Sequence, residues 1–162
     1  MKVRRGTPED VPALVALFEE LETMQRDWRV FTPRPGFADE VAGNYRKAVD
    51  RPNVVVLVAE AEGEIVGMAH GEARTPSRFS DERALHLSGV VVRSDFRGRG
   101  VGRALVAEAA RFAAERGVPW VTLNTFAPNR GSAEFWESLG FHPRVVEMTS
   151  STRALNDRLG RE

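Results

Sequence analysis

The chain has 162 residues, of which 42% are hydrophobic and 28% charged, and its 23 basic side chains balance 23 acidic ones. This composition is typical of one soluble globular domain over residues 1–162, and no net charge attracts it to nucleic acid or to a membrane. The chain contains no cysteine, which excludes disulfides, thiolate metal ligands and an acyl-cysteine intermediate. We therefore expect a soluble, cytoplasmic protein that binds neither nucleic acid nor membrane.

The first half of the chain predicts two helices and three strands. Thr7 followed by Pro8 is typical of a helix start, and the near-continuous apolar run at 53–60 is typical of a central strand covered on both faces. A tight turn joins that strand to the next as a hairpin. In order, the predicted elements are a strand at 2–5, a helix from 7 to about 23, a helix from 38 to about 49, and strands at 53–60 and 65–73.

The second half predicts a strand, a helix and a parallel strand, followed by shorter elements. Such a strand–helix–strand unit is expected to be right-handed. The predicted elements are a strand at about 85–92, a helix at about 100–116, a strand at 120–125, a helix at 131–139 and one or two final strands within 141–149. The tail from Ser150 is polar and is expected to fray, and the polar segment 75–83 is expected to be a loop.

A glycine-rich segment, Arg97-Gly98-Arg99-Gly100-Val101-Gly102, lies between the strand at 85–92 and the helix that follows. Unpaired N–H groups at a helix N-terminus attract phosphate, and glycine lets the backbone approach it closely. A dinucleotide-binding loop would need glycine where Arg103 stands, and a P-loop would need Gly-Lys-Ser/Thr. The pattern that fits is Arg/Gln-x-x-Gly-x-Gly/Ala.

This segment resembles the acyl-CoA-binding signature of the GNAT superfamily of N-acetyltransferases. A second stretch is similar to that family's other signature, through Asn129, Ala133, Phe135-Trp136-Glu137 and Leu139-Gly140-Phe141. The resemblance covers nearly the whole chain and implies an α/β mixed sheet. That sheet is expected to have six to seven mostly antiparallel strands, a splayed parallel pair of strands 4 and 5, and about four flanking helices.

The resemblance implies acetyl-CoA as co-substrate, no metal, and direct acetyl transfer to a primary amine in a ternary complex. The acceptor would be a small molecule or a peptide, and the resemblance is compatible with a homodimer. The pyrophosphate would lie on backbone amides of the glycine-rich segment and the pantetheine arm along the strand. The implied coenzyme-binding residues are Val90, Val91, Val92, Arg97, Gly98, Arg99, Gly100, Val101, Gly102, Arg103 and Asn129.

The chemistry needs a donor to the thioester carbonyl oxygen and a base for the amine. By resemblance, the donor is a backbone N–H near Val90 or Val91, and Gly89 marks a bulge that opens the strand there. Strand alternation groups Met68, His70 and Glu72 on one face, and His86 with Ser88. Glu72 and His86 are the candidate general bases. The alternatives are a surface glutamate, a half-buried structural histidine, and a water chain acting as base.

Trp136 stands where the family often has a tyrosine that protonates the departing thiolate. Indole N–H is not a practical acid, so packing is the expected role of Trp136. Arg26, Trp28, Phe31 and Arg34 are candidate walls of the acceptor site, although the two aromatic residues fit a core equally well. Two further functions stay open: a coenzyme A-binding sensor without turnover, and an O-acyl or aminoacyl transfer variant.

Overall fold

The computed structural model describes residues 1–27, 36–75, 81–125, 129–146 and 148–160. The chain divides into two compact units, Met1–Phe126 and Ala127–Glu162, and the expectation of a single domain stays a prediction. The first unit holds β1 (Lys2–Arg5), α1 (Val11–Asp27), α2 (Phe37–Ala48), β2 (Val54–Ala61), β3 (Glu64–Arg74), β4 (Ala84–Val92), α3 (Val101–Glu115) and β5 (Trp120–Leu123). The second unit holds α4 (Arg130–Ser138) and α5 (Thr152–Leu159). None of these helices is long and apolar enough to cross a membrane.

The five strands form one sheet in the order β1-β2-β3-β4-β5. Neighbours from β1 to β4 are antiparallel, whereas β4 and β5 are parallel. This arrangement confirms the predicted mixed sheet, the β2–β3 hairpin and the parallel pair on either side of α3. The β3–β4 ladder is irregular next to His70, and this irregularity lies at the candidate site.

The central strands are covered by helices on both faces. One face packs against α1 and α2, in a buried cluster that includes Leu14, Tyr45, Val56, Val58 and Met68. Gly67 faces the other way, because a Cβ atom there would lie 2.9 Å from Val101 and 3.2 Å from Leu105 of α3. Successive residues of a strand point to opposite faces, so the sheet has an α1–α2 face and an α3 face.

A charged network ties β1 to the start of α1. The Arg4 guanidinium donates two hydrogen bonds to Asp10, at 2.6 and 2.9 Å, and two to Glu60 on β2, at 2.7 and 3.1 Å. Asp10 also accepts a bond from the backbone N–H of Thr7, which caps the single 3₁₀ turn before α1. The hydrogen bonds from Arg4 hold the pKa of Asp10 below its usual value.

The expected number of six to seven strands is wrong for the part of the chain that the structure describes, which contains five. Residues 141–146 and 148–149 form no strand, although one or two were expected there. Val145 and Val146 are 89% and 75% exposed. Branched side chains stabilise a strand through packing against neighbours, and at this exposure these two side chains have little such packing.

The tail expected to fray contains α5, so the described part of the chain has five α-helices where about four were predicted. Ser151 caps α5 by accepting a hydrogen bond from the backbone N–H of Ala154. Gly160 ends the helix with a φ of +64°. Both are ordinary helix-boundary signals, and the polar composition of the segment concealed them.

Candidate active site

The glycine-rich segment forms a turn that opens α3. Gly98 and Gly100 have φ angles of +73° and +81°, a conformation that other residues adopt only with strain. Gly100 is the N-cap of α3 and has no side chain that could accept a hydrogen bond from the first N–H groups of the helix. The first N–H groups of a helix have no partner within it, so this terminus is suited to hold an anion.

A carboxylate from α1 holds this turn in place. Glu20 Oε1 accepts hydrogen bonds from the backbone N–H of Ser94 at 3.1 Å and from Arg97 Nη2 at 2.9 Å. Arg97 Nε donates to the carbonyl oxygen of Val92, the last residue of β4, at 3.0 Å. The side chain of Arg97 therefore links α1, β4 and the turn.

Arg99 within the segment and Arg103 just after it lie at the surface. The Arg99 guanidinium stacks 4.8 Å from the centre of the buried Phe96 ring, and Arg93 stacks on the same ring at an equal distance. Arg103 is exposed in the first turn of α3. Arg99 and Arg103 thus add positive charge beside the helix N-terminus.

β4 is longer than the strand beside it. The parallel pairing joins Ala84–Leu87 of β4 to Trp120–Leu123 of β5 and ends there. β4 continues to Val92, and residues 88–92 have no strand partner on that side within the described part of the chain. The parallel pairing therefore ends at Leu87, while β4 continues for five more residues. Val90, Val91 and Val92 lie on this unpaired edge, which runs towards the glycine-rich turn.

A β-bulge lies at the start of the unpaired edge. Gly89 is opposite His70 and Leu87 is opposite Gly71, so Ser88 is the extra residue of β4. The sequence predicted this irregularity at Gly89, one residue later. Ser88 is exposed, and its Oγ is hydrogen-bonded to Nδ1 of His70.

The two bases predicted from the sequence are directly opposite each other, Glu72 on β3 and His86 on β4. Glu72 Oε1 accepts hydrogen bonds from Arg51 Nη2 and Asn53 Nδ2, each at 3.0 Å. His86 Nδ1 lies 3.1 Å from Thr122 Oγ1 on β5. Both predicted side chains are therefore already engaged by neighbours, although neither is fully buried.

The structure brings a further histidine into this group. His70 lies two residues before Glu72 on β3 and so shares its face, and the Tyr45 ring packs edge-on against its imidazole with centroids 5.8 Å apart. Strand alternation had grouped His70 with Glu72, but only the cross-strand register shows that it meets Ser88. A single sequence does not reveal that register.

Both histidines favour the neutral form. Burial lowers the pKa of His70, and the negative charge of Glu72 offsets this while the positive charge of Arg51 adds to it. Burial, and then the charge of Arg74, lowers the pKa of His86. An unprotonated imidazole at neutral pH can accept a proton, so both rings are available as bases.

The second unit carries the other sequence signature. Asn129 caps α4, since its side chain accepts a hydrogen bond from the backbone N–H of Ser132 at 3.1 Å. Trp136 Nε1 donates to Ser132 Oγ at 2.9 Å, and its ring packs against Phe135 and Phe141. This contact pattern agrees with a packing role for Trp136.

The expected acceptor walls are only partly described. Trp28, Phe31 and Arg34 lie outside the described residues. Arg26 is exposed and forms an ion pair of 2.7 Å with Glu22. The described residues contain no group of three histidine, aspartate or glutamate side chains placed to hold a metal ion.

Comparisons with known proteins agree with this geometry. The profile described as "Acetyltransferase (GNAT) family" matches residues 18–141. An uncharacterised N-acetyltransferase of Methanocaldococcus jannaschii is 34% identical over 90 residues, which are 56% of this chain and 40% of that protein. An acetyltransferase of Pectobacterium atrosepticum is 29% identical over 98% of this chain and 99% of its own length. An aminoglycoside N-acetyltransferase solved with CoA superposes with a TM-score of 0.75 at 20% identity, covering 94% of each chain.

Proposed function

The chain belongs to the GNAT family of acetyltransferases, and on this basis we propose that it transfers an acetyl group from acetyl-CoA to a primary amine. The observation that carries the proposal is the unpaired edge of β4, at 88–92, which leads into the glycine-rich turn and the N-terminus of α3. An unpaired strand edge can pair with the amides of an extended arm, and a helix N-terminus can bind a pyrophosphate. Their succession along the chain therefore suits a ligand that contains both groups. The CoA complex of the aminoglycoside N-acetyltransferase neighbour supports the same assignment.

The proposed donor site consists mainly of backbone groups. Residues 98–103 offer N–H groups to the pyrophosphate, Arg99 and Arg103 add charge, and Arg97 holds the turn in shape. The edge at Val90, Val91 and Val92 pairs with the amides of the pantetheine arm. Only the family resemblance supports Asn129 as a further coenzyme-binding residue. The fit is supported by Gly98 and Gly100, which have positive φ angles and carry no side chain that would cover the turn.

The bound donor supplies an activated acetyl thioester, and the chain's own residues position and deprotonate the acceptor. The amine attacks directly in a ternary complex, so no enzyme nucleophile is needed. A backbone N–H near Val90 or Val91 donates to the carbonyl oxygen. Glu72 and His86 are the bases proposed from the sequence, and they lie opposite each other on the α1–α2 face of the sheet. The acceptor is a small molecule or a peptide.

The test follows free thiol release from acetyl-CoA across a panel of primary amines, with calorimetry of acetyl-CoA binding in parallel. The proposal expects acetyl-CoA to bind and at least one amine to release thiol and appear as its acetylated product. Binding without release for any amine favours the sensor alternative, which the replacement of the family tyrosine by Trp136 keeps open. Absence of binding refutes both.

A further inference from the structure

The group of polar side chains around the β4 bulge contains a residue that the sequence did not single out as a base. From its position we infer that His70, fixed by Ser88, takes the proton from the attacking amine. This inference rests on the proposed function and names which side chain on the α1–α2 face performs the proton transfer. Glu72 and His86 then have other roles.

Position along β4 separates the two histidines. The proposed carbonyl donor is near Val90, and a strand advances about 3.3 Å per residue, so His86 lies about 13 Å back along the strand. His86 also lies where β4 is still paired with β5. His70 is opposite Gly89, which lies one residue before Val90 and beyond the last β4 residue that pairs with β5. A base must come within hydrogen-bond reach of the proton it takes, so His70 has the better position.

The neighbours of His70 leave one ring nitrogen for this task. Nδ1 is engaged by the Ser88 hydroxyl on β4, which leaves Nε2 to accept a proton. We assign the N–H to Nδ1, with Ser88 Oγ as its acceptor, because this tautomer places the lone pair on Nε2. The Tyr45 ring of α2 packs against the imidazole and restricts its rotation.

Neighbouring charges affect the stability of the imidazolium that His70 forms when it takes the proton. Glu72 on β3 shares its face and stabilises an imidazolium, whereas Arg51 opposes it and also binds Glu72. Burial raises the pKa of Tyr45, so this hydroxyl stays protonated and neutral. Glu72 Oε1 is already occupied, because it accepts hydrogen bonds from both Arg51 and Asn53.

The step balances with the groups already named. The lone pair of the neutral amine forms the N–C bond to the acetyl carbon, and the C–S bond breaks with its electron pair on sulfur. One proton leaves the nitrogen for Nε2 of His70. The imidazolium then returns that proton through solvent, and sulfur leaves as a thiol. No oxidant, metal or further co-reactant takes part.

The test compares pH profiles of kcat/KM with histidine titrations, using the fastest amine from a panel of lysine, spermidine, glucosamine, an aminoglycoside and a short peptide. The chain has three histidines, so ¹⁵N-labelled wild type and His70→Gln assign the ring signals. We expect the kinetic pKa of wild type to match that of His70. His70→Gln loses the fall in kcat/KM at low pH that this pKa describes. It also loses about 100-fold in kcat, a typical general-base contribution, while acetyl-CoA affinity stays within twofold.

Ser88→Ala tests the same inference without disturbing the core, since Ser88 is exposed. Loss of the hydrogen bond between Ser88 and His70 removes an acceptor for the imidazolium. The pKa of His70 and the kinetic pKa are therefore expected to move together to lower pH. His142 is an exposed histidine in the second unit, and His142→Gln is the matched control. This variant is expected to keep the His70 titration and the kinetic pKa of wild type.

Three results overturn the inference. The first is a fall in kcat/KM at low pH that persists in His70→Gln, and the second is one that disappears in His86→Gln but not in His70→Gln. The third is a Ser88→Ala variant in which the His70 titration moves and the kinetic pKa does not. A wild type that binds acetyl-CoA but acetylates no amine instead refutes the proposed function, and the inference with it.

Discussion

Glu20 provides a test of how the glycine-rich turn is held. Its carboxylate, on α1, accepts one hydrogen bond from the backbone of Ser94 and one from Arg97, and Glu20 is not among the residues proposed to bind acetyl-CoA. Replacing it with alanine removes both bonds and leaves the turn otherwise intact. We expect Glu20→Ala to weaken acetyl-CoA binding because the turn then has to be ordered by the ligand.

The size of the effect follows from the exposure of the partners. The side chains of Arg97 and Glu20 are 44% and 30% exposed, so their ion pair contributes only about 0.2–1 kcal/mol. The bond from the Ser94 N–H to a charged, partly exposed acceptor adds about 1 kcal/mol. Together these give about 1–2 kcal/mol, which corresponds to about a 5- to 30-fold rise in the Kd of acetyl-CoA. Glu20→Gln keeps an acceptor oxygen and is expected to lose about 2- to 5-fold.

Calorimetric titration with acetyl-CoA measures these differences, and Glu19→Ala is the control. Glu19 is exposed on the same helix, and replacing it with alanine removes the same charge. The loss in Glu20→Ala is expected to shrink at high salt, since part of it is an exposed ion pair. The reasoning would be refuted if Glu20→Ala bound acetyl-CoA as tightly as Glu19→Ala, whether both match wild type or both are weaker than it.

Three further changes test the turn, the polar group and the β1–α1 network. Gly100→Val places a branched side chain at a φ of +81°, so about 1–3 kcal/mol of strain should raise the Kd of acetyl-CoA about tenfold, whereas Gly43→Ala, with open space in α2, should not. Glu72→Gln removes a charge that raises the pKa of His70, so the NMR titration of His70 should move to lower pH. Asp10→Asn should cost about 1–3 kcal/mol in urea unfolding at pH 7, and the difference from wild type should disappear in acid. The folded-state pKa of Asp10 lies below its usual 3.8, so its stabilisation is present above that pH and is lost as pH falls through the folded value.

The fold of the first unit was predictable because each element carries a local signal. The apolar run of β2, the hairpin turn before β3 and the glycines before α3 depend on residues close together in sequence, and the structure has each of them. The C-terminal stretch was misjudged for the opposite reason. Val145 and Val146 have a high strand propensity, but a strand also needs a partner, and local sequence does not supply one.

The candidate site divides in the same way. The positive φ angles of Gly98 and Gly100 agree with the predicted turn, whose chemistry is local. The pairing of His70 with Ser88 depends on one extra residue in β4, which changes which side chains are opposite each other. The contact of Glu20 with Arg97 joins residues 77 positions apart. Neither contact leaves a periodic pattern in the sequence.

The unpaired edge of β4 has a consequence beyond ligand binding. Backbone N–H and C=O groups without a strand partner are also a template for another chain, and exposed strand edges promote aggregation. Here that edge spans only residues 88–92 and begins at a bulge, and both features disfavour edge-to-edge pairing. A ligand arm that pairs with these groups would also block them. Any self-association of the free protein through this edge is therefore expected to decrease when acetyl-CoA is bound.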